Sequence, residues 1–206
     1  MPRRSKYVIW ATIQDATIEL FGSKSYNEIT MNEIAQKAGI AKQTLYKYYP
    51  SKMVLFASIF ERYLQLLVNQ QSEESFDGKD YGETLHMLLQ SLYDFTERNR
   101  GFMRLFWMLN SDTTEGEVPE ELLRHINYWN SRIVDRAANM LKQKEAVGLY
   151  KKFSPELITH ALSAINKGIH LQATKEEGFR IEHFNKDDLF SLFCNMLDYC
   201  SKDVKK

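Results

Sequence analysis

Lys42, Gln43, Tyr46 and Lys47 stand at i, i+1, i+4 and i+5, so on a helix they share one face. Two ammonium groups can meet phosphates there, a glutamine amide can pair bidentately with adenine, and a phenol adds a flat ring and a hydroxyl. That is the chemistry of reading a charged polymer that carries base edges. Bond-making chemistry finds no comparable set of residues. The sequence holds no Gly-rich phosphate loop, no HExxH, no Cys pair at zinc spacing and no Gly-x-Ser-x-Gly elbow. No enzymatic role, no cofactor and no metal are therefore expected.

The residues around this face predict two short helices that hold it. Thr30 followed by Glu33 forms a capping box, with Ile29 and Ile34 at the positions of a hydrophobic staple. Gly39 ends the first helix, because a residue without Cβ adopts the left-handed conformation at little cost. Ala35 is small enough for close helix approach, and Ile34 and Ala38 share a core-facing side. In the second helix Leu45 and Tyr49 should point inward, opposite the polar face. Pro50 stops it, and Ser51 can cap the helix that begins at Lys52. Two helices crossing at a glycine turn are a geometry that places one of them in the DNA major groove. The alternative is a solvated amphipathic pair whose lysines serve only solubility.

The stretch KAGIAKQTLYKYYPSKMVLF resembles the signature of the TetR family of bacterial transcriptional repressors. The shared pattern is Ala35, Ala38 and Gly39 at the turn, then Thr44, Leu45 and Tyr46, the aromatic pair Tyr48 and Tyr49, and Ser51 with Lys52. The likeness covers roughly residues 8 to 60. It implies an all-α fold of about nine helices: an N-terminal three-helix helix-turn-helix domain, then a C-terminal helical domain for ligand binding and dimerisation. It also implies a palindromic double-stranded DNA operator, a homodimer and release by a small-molecule effector. The alternative reading of function is a small-molecule-binding helical dimer whose DNA contact is weak or vestigial. Within the resemblance, Thr30, Lys42, Tyr48 and Lys52 are expected at phosphates. Gln43, Thr44, Tyr46 and Lys47 are expected at base edges or the thymine methyl. Two departures stand out. Ala41 replaces a frequent capping Ser, at a cost of ~1 kcal/mol. Gln43 replaces a usual small residue, so base preference does not carry over from relatives.

Charge is distributed to match. The net charge of the 206 residues is zero, yet residues 1–72 hold nine Lys/Arg against five Asp/Glu, and the remainder 18 against 22. A basic head on an acidic body steers one end toward phosphates. Arg3, Arg4 and Lys6 read equally as a frayed tail or as a basic arm along the DNA backbone.

Sparse Gly and Pro make the rest of the chain helical. A first helix carries Ile9, Ile13, Ala16 and Leu20 as its apolar stripe. The DNA-binding domain is expected over residues 1–52, a connecting helix over 51–71, and the ligand and dimer domain over 72–206. SEESFDGKD and SDTTEGEVP are breaks. Further helices are expected at Tyr81 to Arg98, at a bulky segment from Phe102, from Pro119 to about Ala146, from Ser154 to about Lys175, and from Asn185 to Ser201.

Among relatives of this kind an effector sits between body helices. Here Tyr93, Phe102, Met103, Phe106, Trp107, Trp129, His160 and Asn166 are the candidate lining residues, an aromatic and Met-rich set suited to an apolar or aromatic ligand. Taken singly, each reads rather as ordinary core, since Trp and Phe at helical spacing usually are. His125, His160 and His170 read as exposed or satisfied rather than as ligands. The resemblance places a four-helix dimer interface on the last two helices, at Ala161, Ala164, Gly168, Leu171, Leu189, Phe193, Met196 and Leu197. Packing within one chain is the alternative. Physics adds that one short helix reads few base pairs, so two half-sites about a two-fold axis raise affinity and selectivity. Cys194 and Cys200, six apart on a helix, face different sides and are expected as reduced thiols. With no leader and no run of eighteen apolar residues, a cytoplasmic protein without membrane contact is expected.

Overall fold

The computed structural model describes residues 6–70, 76–110, 118–174 and 185–201. Arg3, Arg4, the start of the first expected break and most of the second lie outside the described residues. Among those described there are nine α-helices and no strand. They are α1 (Lys6–Ser23), α2 (Met31–Lys37), α3 (Lys42–Tyr48), α4 (Lys52–Gln70), α5 (Tyr81–Arg98), α6 (Gly101–Leu109), α7 (Glu120–Lys142), α8 (Pro155–Thr174) and α9 (Lys186–Ser201). A 3₁₀ helix, Gly148–Lys152, follows α7, which ends four residues before the point expected from sequence.

The chain packs as two units. One comprises residues 1–64 with 99–127, the other residues 65–98 with 128–206. This partition concerns packing, whereas the division expected at residues 52 and 72 concerns function.

In the first unit α1 packs on α2, α2 on α3, and α6 against α1. Its core is aromatic. Phe21 and Tyr26 both meet the Phe56 ring edge-on, with centroids 5.1 and 5.0 Å away. Phe60 stacks on Phe102 at 5.3 Å. Burying each such side chain stabilises by roughly 1.5–3 kcal/mol. The α1 stripe is only partly the expected one. Ile13 and Ala16 are buried and Ile9 and Leu20 half-buried, while Gln14, Thr17 and Phe21 complete the inner face. Thr17 is satisfied on its own helix, donating to the Ile13 carbonyl at 2.8 Å.

The second unit packs α5, α8 and α9 against one another, with the 3₁₀ helix on α9. Its core includes Tyr81, Leu85, Leu89, Met140, Leu141 and Ile169. The helix starts have local causes. Asp80 and Glu83 cap α5 reciprocally, the Glu83 N–H donating at 2.8 Å and the Asp80 N–H at 2.9 Å. Ser154 accepts from the Leu157 N–H at the start of α8. Cys194 is buried, Cys200 half-buried, and neither forms a disulfide.

Candidate nucleic-acid interface

The first turn of α2 is held by the expected capping box. The Glu33 N–H donates to the Thr30 hydroxyl at 3.2 Å, and the Thr30 N–H donates to the Glu33 carboxylate at 2.9 Å. Lys24 adds an ion pair to Glu33 at 2.6 Å. The Lys24 ammonium first, then the Thr30 N–H and hydroxyl, hold the Glu33 carboxyl down to about 2 from an ordinary 4.5. A carboxyl whose folded pKa is depressed contributes stability above its unfolded pKa and loses it as pH falls toward the folded value. The expected result is a steeper acid limb of Tm against pH, between about pH 4.5 and 2, in the wild type than in Glu33→Gln. Parallel limbs would show that the box contributes nothing across that window.

The end of α2 is equally local. Gly39 has φ +65°, and the Gly39 and Ile40 N–H groups donate to Gln36 and Ala35 carbonyls at 3.1 and 3.0 Å. That pair of bonds is the Schellman arrangement, and it turns the chain toward α3. Ala41 opens α3 without a side-chain cap. One turn on, Leu45 is fully buried, and Tyr49, the residue closing the helix, is buried as well.

The opposite face of α3 is open. Lys42, Gln43, Tyr46 and Lys47 are all exposed, while Thr44 and Tyr48 are half-buried at its margins. Lys42 lies 5.9 Å from the Tyr46 ring centroid, at the outer limit of a cation–π contact. The face therefore offers two cations, an amide and a phenol, backed by buried Leu45 within the seven-residue helix and buried Tyr49 at its C-cap. Ser51 accepts from the Val54 N–H at 3.1 Å and starts α4.

Thr30 and Lys52 are placed differently from the other expected DNA contacts. The Thr30 hydroxyl is occupied by Glu33 in both directions. The Lys52 ammonium donates to the Tyr26 and Ile29 carbonyls at 2.7 and 2.9 Å and lies 4.1 Å from the Tyr26 ring centroid. Burial pushes its pKa down. Two of its three donors hold the α1–α2 loop, so in this structure Lys52 serves as a strut. Lys52→Ala is accordingly expected to cost about 1.5–3 kcal/mol of stability, read as a lower Tm. The salt dependence of DNA binding should keep its slope; a slope reduced by about 0.9 would return Lys52 to the phosphate.

Residues 13–59, which contain this whole arrangement, match the family described as bacterial regulatory proteins, tetR family. The N-terminal part of the chain carries a TetR-family helix-turn-helix segment. The protein is a helix-turn-helix, DNA-binding transcriptional regulator. Among relatives of the chain, the transcriptional activator FasR of Mycolicibacterium smegmatis is 28% identical over 107 residues, 52% of this chain and 48% of that protein. This chain thus spans about half the length of FasR. The nucleoid occlusion factor SlmA of Shewanella pealeana is 28% identical over 162 residues, 77% of this chain and 80% of that one. The FadR regulator of Bacillus subtilis, solved with stearoyl-CoA, superposes with a TM-score of 0.63 at 17% identity, covering 95% of this chain and all of that one. At that identity the likeness speaks for the fold.

The residues expected to line an effector site divide between the two units. Phe102 and Met103 are buried, and Phe106 and Trp107 half-buried, in the first. Phe102 serves the core there, stacked on Phe60 with its edge to Tyr63. In the second unit Tyr93 is buried and donates to Asp187 at 2.6 Å, Trp129 is half-buried, His160 is exposed, and Asn166 is buried with no partner for its Oδ1 among the described residues. His170 is buried against Thr96 and Glu97, and His125 pairs with Glu61.

The residues expected at a dimer face divide by exposure. Ala161, Ala164, Gly168 and Met196 are open. Leu189, Phe193 and Leu197 are half-buried against their own unit's core. The side chain of Leu171 lies outside the described residues. Leu192 and Tyr199, which the sequence shows in the apolar set of the last helix, are exposed with Met196, and so is Leu157 of α8, which the sequence did not single out. Leu192, Met196 and Tyr199 stand at i, i+4 and i+7, one side of α9. Among the described residues no group of His, Cys, Asp or Glu could hold a metal ion, and no helix is long and apolar enough to cross a membrane.

Proposed function

We propose that this regulator is a homodimeric repressor that occupies a palindromic operator and leaves it when a small apolar or aromatic molecule binds its C-terminal part. The exposed face of α3 carries the proposal: cations and hydrogen-bonding groups stand outward on a helix whose other side is buried. Residues 1–52 bind DNA in this scheme, and residues 72–206 bind effector and partner. A two-fold dimer presents two recognition helices to successive major-groove faces about 34 Å apart. The partner surface is the exposed stripe of α8, Leu157, Ala161, Ala164 and Gly168, with Leu192, Met196 and Tyr199 of α9. Small residues on one helix let the facing copies approach closely, and the larger apolar ones supply burial.

The stearoyl-CoA bound to FadR supports an effector with a long apolar part. Effector binding biases the dimer toward a state in which the recognition helices no longer match the groove spacing, with α4 as the moving part. A coupling of ~1–3 kcal/mol weakens operator binding 5–150-fold, and operator must weaken effector binding by the same factor. Because FasR is an activator, the sign of regulation rests on occlusion: a dimer seated on a promoter blocks it without any further contact.

Selection of bound fragments from genomic DNA tests the scheme. A palindromic consensus, bound by two protomers, and repression of transcription from a promoter overlapping it are expected. Retention independent of sequence favours the helical dimer with vestigial DNA contact. Stimulation of transcription overturns the repressor reading alone.

A further inference from the structure

Burial alone does not say which side of α4 should meet α1. Every residue from Leu55 to Phe60 is buried, so the middle of α4 is enclosed all round. A helix enclosed on every side has no single apolar stripe to fix its rotation or its register. One polar side chain supplies what that pattern lacks. Gln14 of α1 is fully buried, and both ends of its amide bond to α4. Its Nε2 donates to the Ser58 hydroxyl at 3.1 Å, and its Oε1 accepts from Arg62 Nη1 at 3.3 Å. Ser58 and Arg62 stand at i and i+4, on successive turns of one side of α4. Each has a second bond of its own: Ser58 donates to the Leu55 carbonyl and Arg62 to Asp15, both at 2.7 Å. Thr17, also buried on α1, bonds only back to its own helix and specifies nothing between helices.

An amide has a direction that apolar side chains lack. A slip of α4 by one turn brings Val54 or Arg62 to the place of Ser58. The Val54 side chain offers no acceptor and Arg62 only donors, so either register strands a buried Nε2–H, which is destabilising. The same pair reaches the recognition helix. The Tyr49 hydroxyl, on the residue that closes α3, lies beside Ser58 and Gln14. Burial pushes that phenol up to about 12, and these two neighbours draw it partly back. Gln14 therefore stands where α1, α4 and the end of α3 meet.

We propose that Gln14 is a positioning residue for DNA recognition, whose amide selects one register of α4 on α1 and with it one bearing of α3. It rests on the assignment of α3 as the DNA-reading helix. It goes beyond that assignment by placing part of the sequence discrimination in the core, on a side chain too deeply buried to touch DNA. A recognition helix with several bearings still meets phosphates, but only the matching fraction reads bases. Apparent operator affinity falls with that fraction.

Gln14→Met tests it, read on Tm and on affinity for operator and for unrelated DNA at several salt concentrations. The change keeps the volume and strands no donor: Arg62 keeps Asp15, Ser58 keeps Leu55 and Tyr49 keeps Ser58. A Tm at or above the wild-type value is expected, because apolar replacement of a buried polar group is often neutral or stabilising. Operator affinity should fall about tenfold, the competent fraction dropping to about a tenth once the bias of a hydrogen bond is gone. Affinity for unrelated DNA and the salt slope should stay at wild-type values, since no phosphate contact is lost. Ser58→Ala is the second variant. It strands Nε2, so a lower Tm is expected along with a loss of operator preference, and the double variant should lose no more preference than the larger single loss. An operator-to-unrelated ratio kept at the wild-type value in either variant, or a Tm that falls in step with both affinities in Gln14→Met, overturns the lock alone. A wild type without sequence preference removes the assignment of α3, and the lock with it.

Discussion

Leu45→Ala should abolish operator binding although Leu45 faces away from the groove. The residue is fully buried and is the central inward side chain of a seven-residue helix. Truncating such a leucine costs about 2–5 kcal/mol, set against a total stability of about 5–15 kcal/mol for a domain. The loss concentrates on α3 because nothing local replaces it. So short a helix does not form by itself in water, and Ala41 supplies no side-chain cap. Lys42, Gln43, Tyr46 and Lys47 would then lose their common face. Fluorescence anisotropy with labelled operator, alongside Tm and helix content, checks this. Wild-type affinity in Leu45→Ala would mean that packing does not organise the reading face.

How much of this was legible in the sequence follows the reach of each interaction. The capping box at Thr30, the turn at Gly39, the inward Leu45 and Tyr49 and the cap at Ser51 are all decided within five residues, and the structure has each where the sequence put it. The struts were not legible. Lys52 reaches back to Tyr26, Gln14 reaches forward to Ser58, and Arg104 of α6 donates to the Phe21 and Lys24 carbonyls with its guanidinium 4.1 Å from the Phe21 ring. Each pairs residues that no periodicity relates. The spacing of Lys52 gives no sign of the two carbonyls it faces.

The second unit taught a different limit. Its helices were legible from spacing, but α9 is apolar on nearly every side. Pattern cannot then say which stripe faces the core. The structure turns Leu189, Phe193 and Leu197 toward the core and leaves Leu192, Met196 and Tyr199 outside. In α8 the small residues Ala161, Ala164 and Gly168 lie on the exposed side, because Ile158, Leu162 and Ile169 claim the opposite one. Where one face is small and the other large, burial has a clear preference; where both are large, partner helices decide.

Gln43→Ala and Lys42→Ala should fail in opposite ways, and the contrast separates reading from holding. An amide that pairs bidentately with a base contributes only where that base is present. Its loss is expected to cost about 1–3 kcal/mol at one position of the site and to relax preference there, with the salt slope unchanged. Lys42 is exposed at the start of α3 and carries charge rather than pattern. Its loss should weaken operator and unrelated DNA alike and reduce the slope of log K against log salt by about 0.9, the share of one phosphate. Affinities for a set of single-base operator variants, each at several salt concentrations, give both quantities from one experiment. If Gln43→Ala lowers every variant equally and takes the slope with it, the amide is a backbone contact, and the base reading shifts to Tyr46 and Lys47, which share its face one turn on.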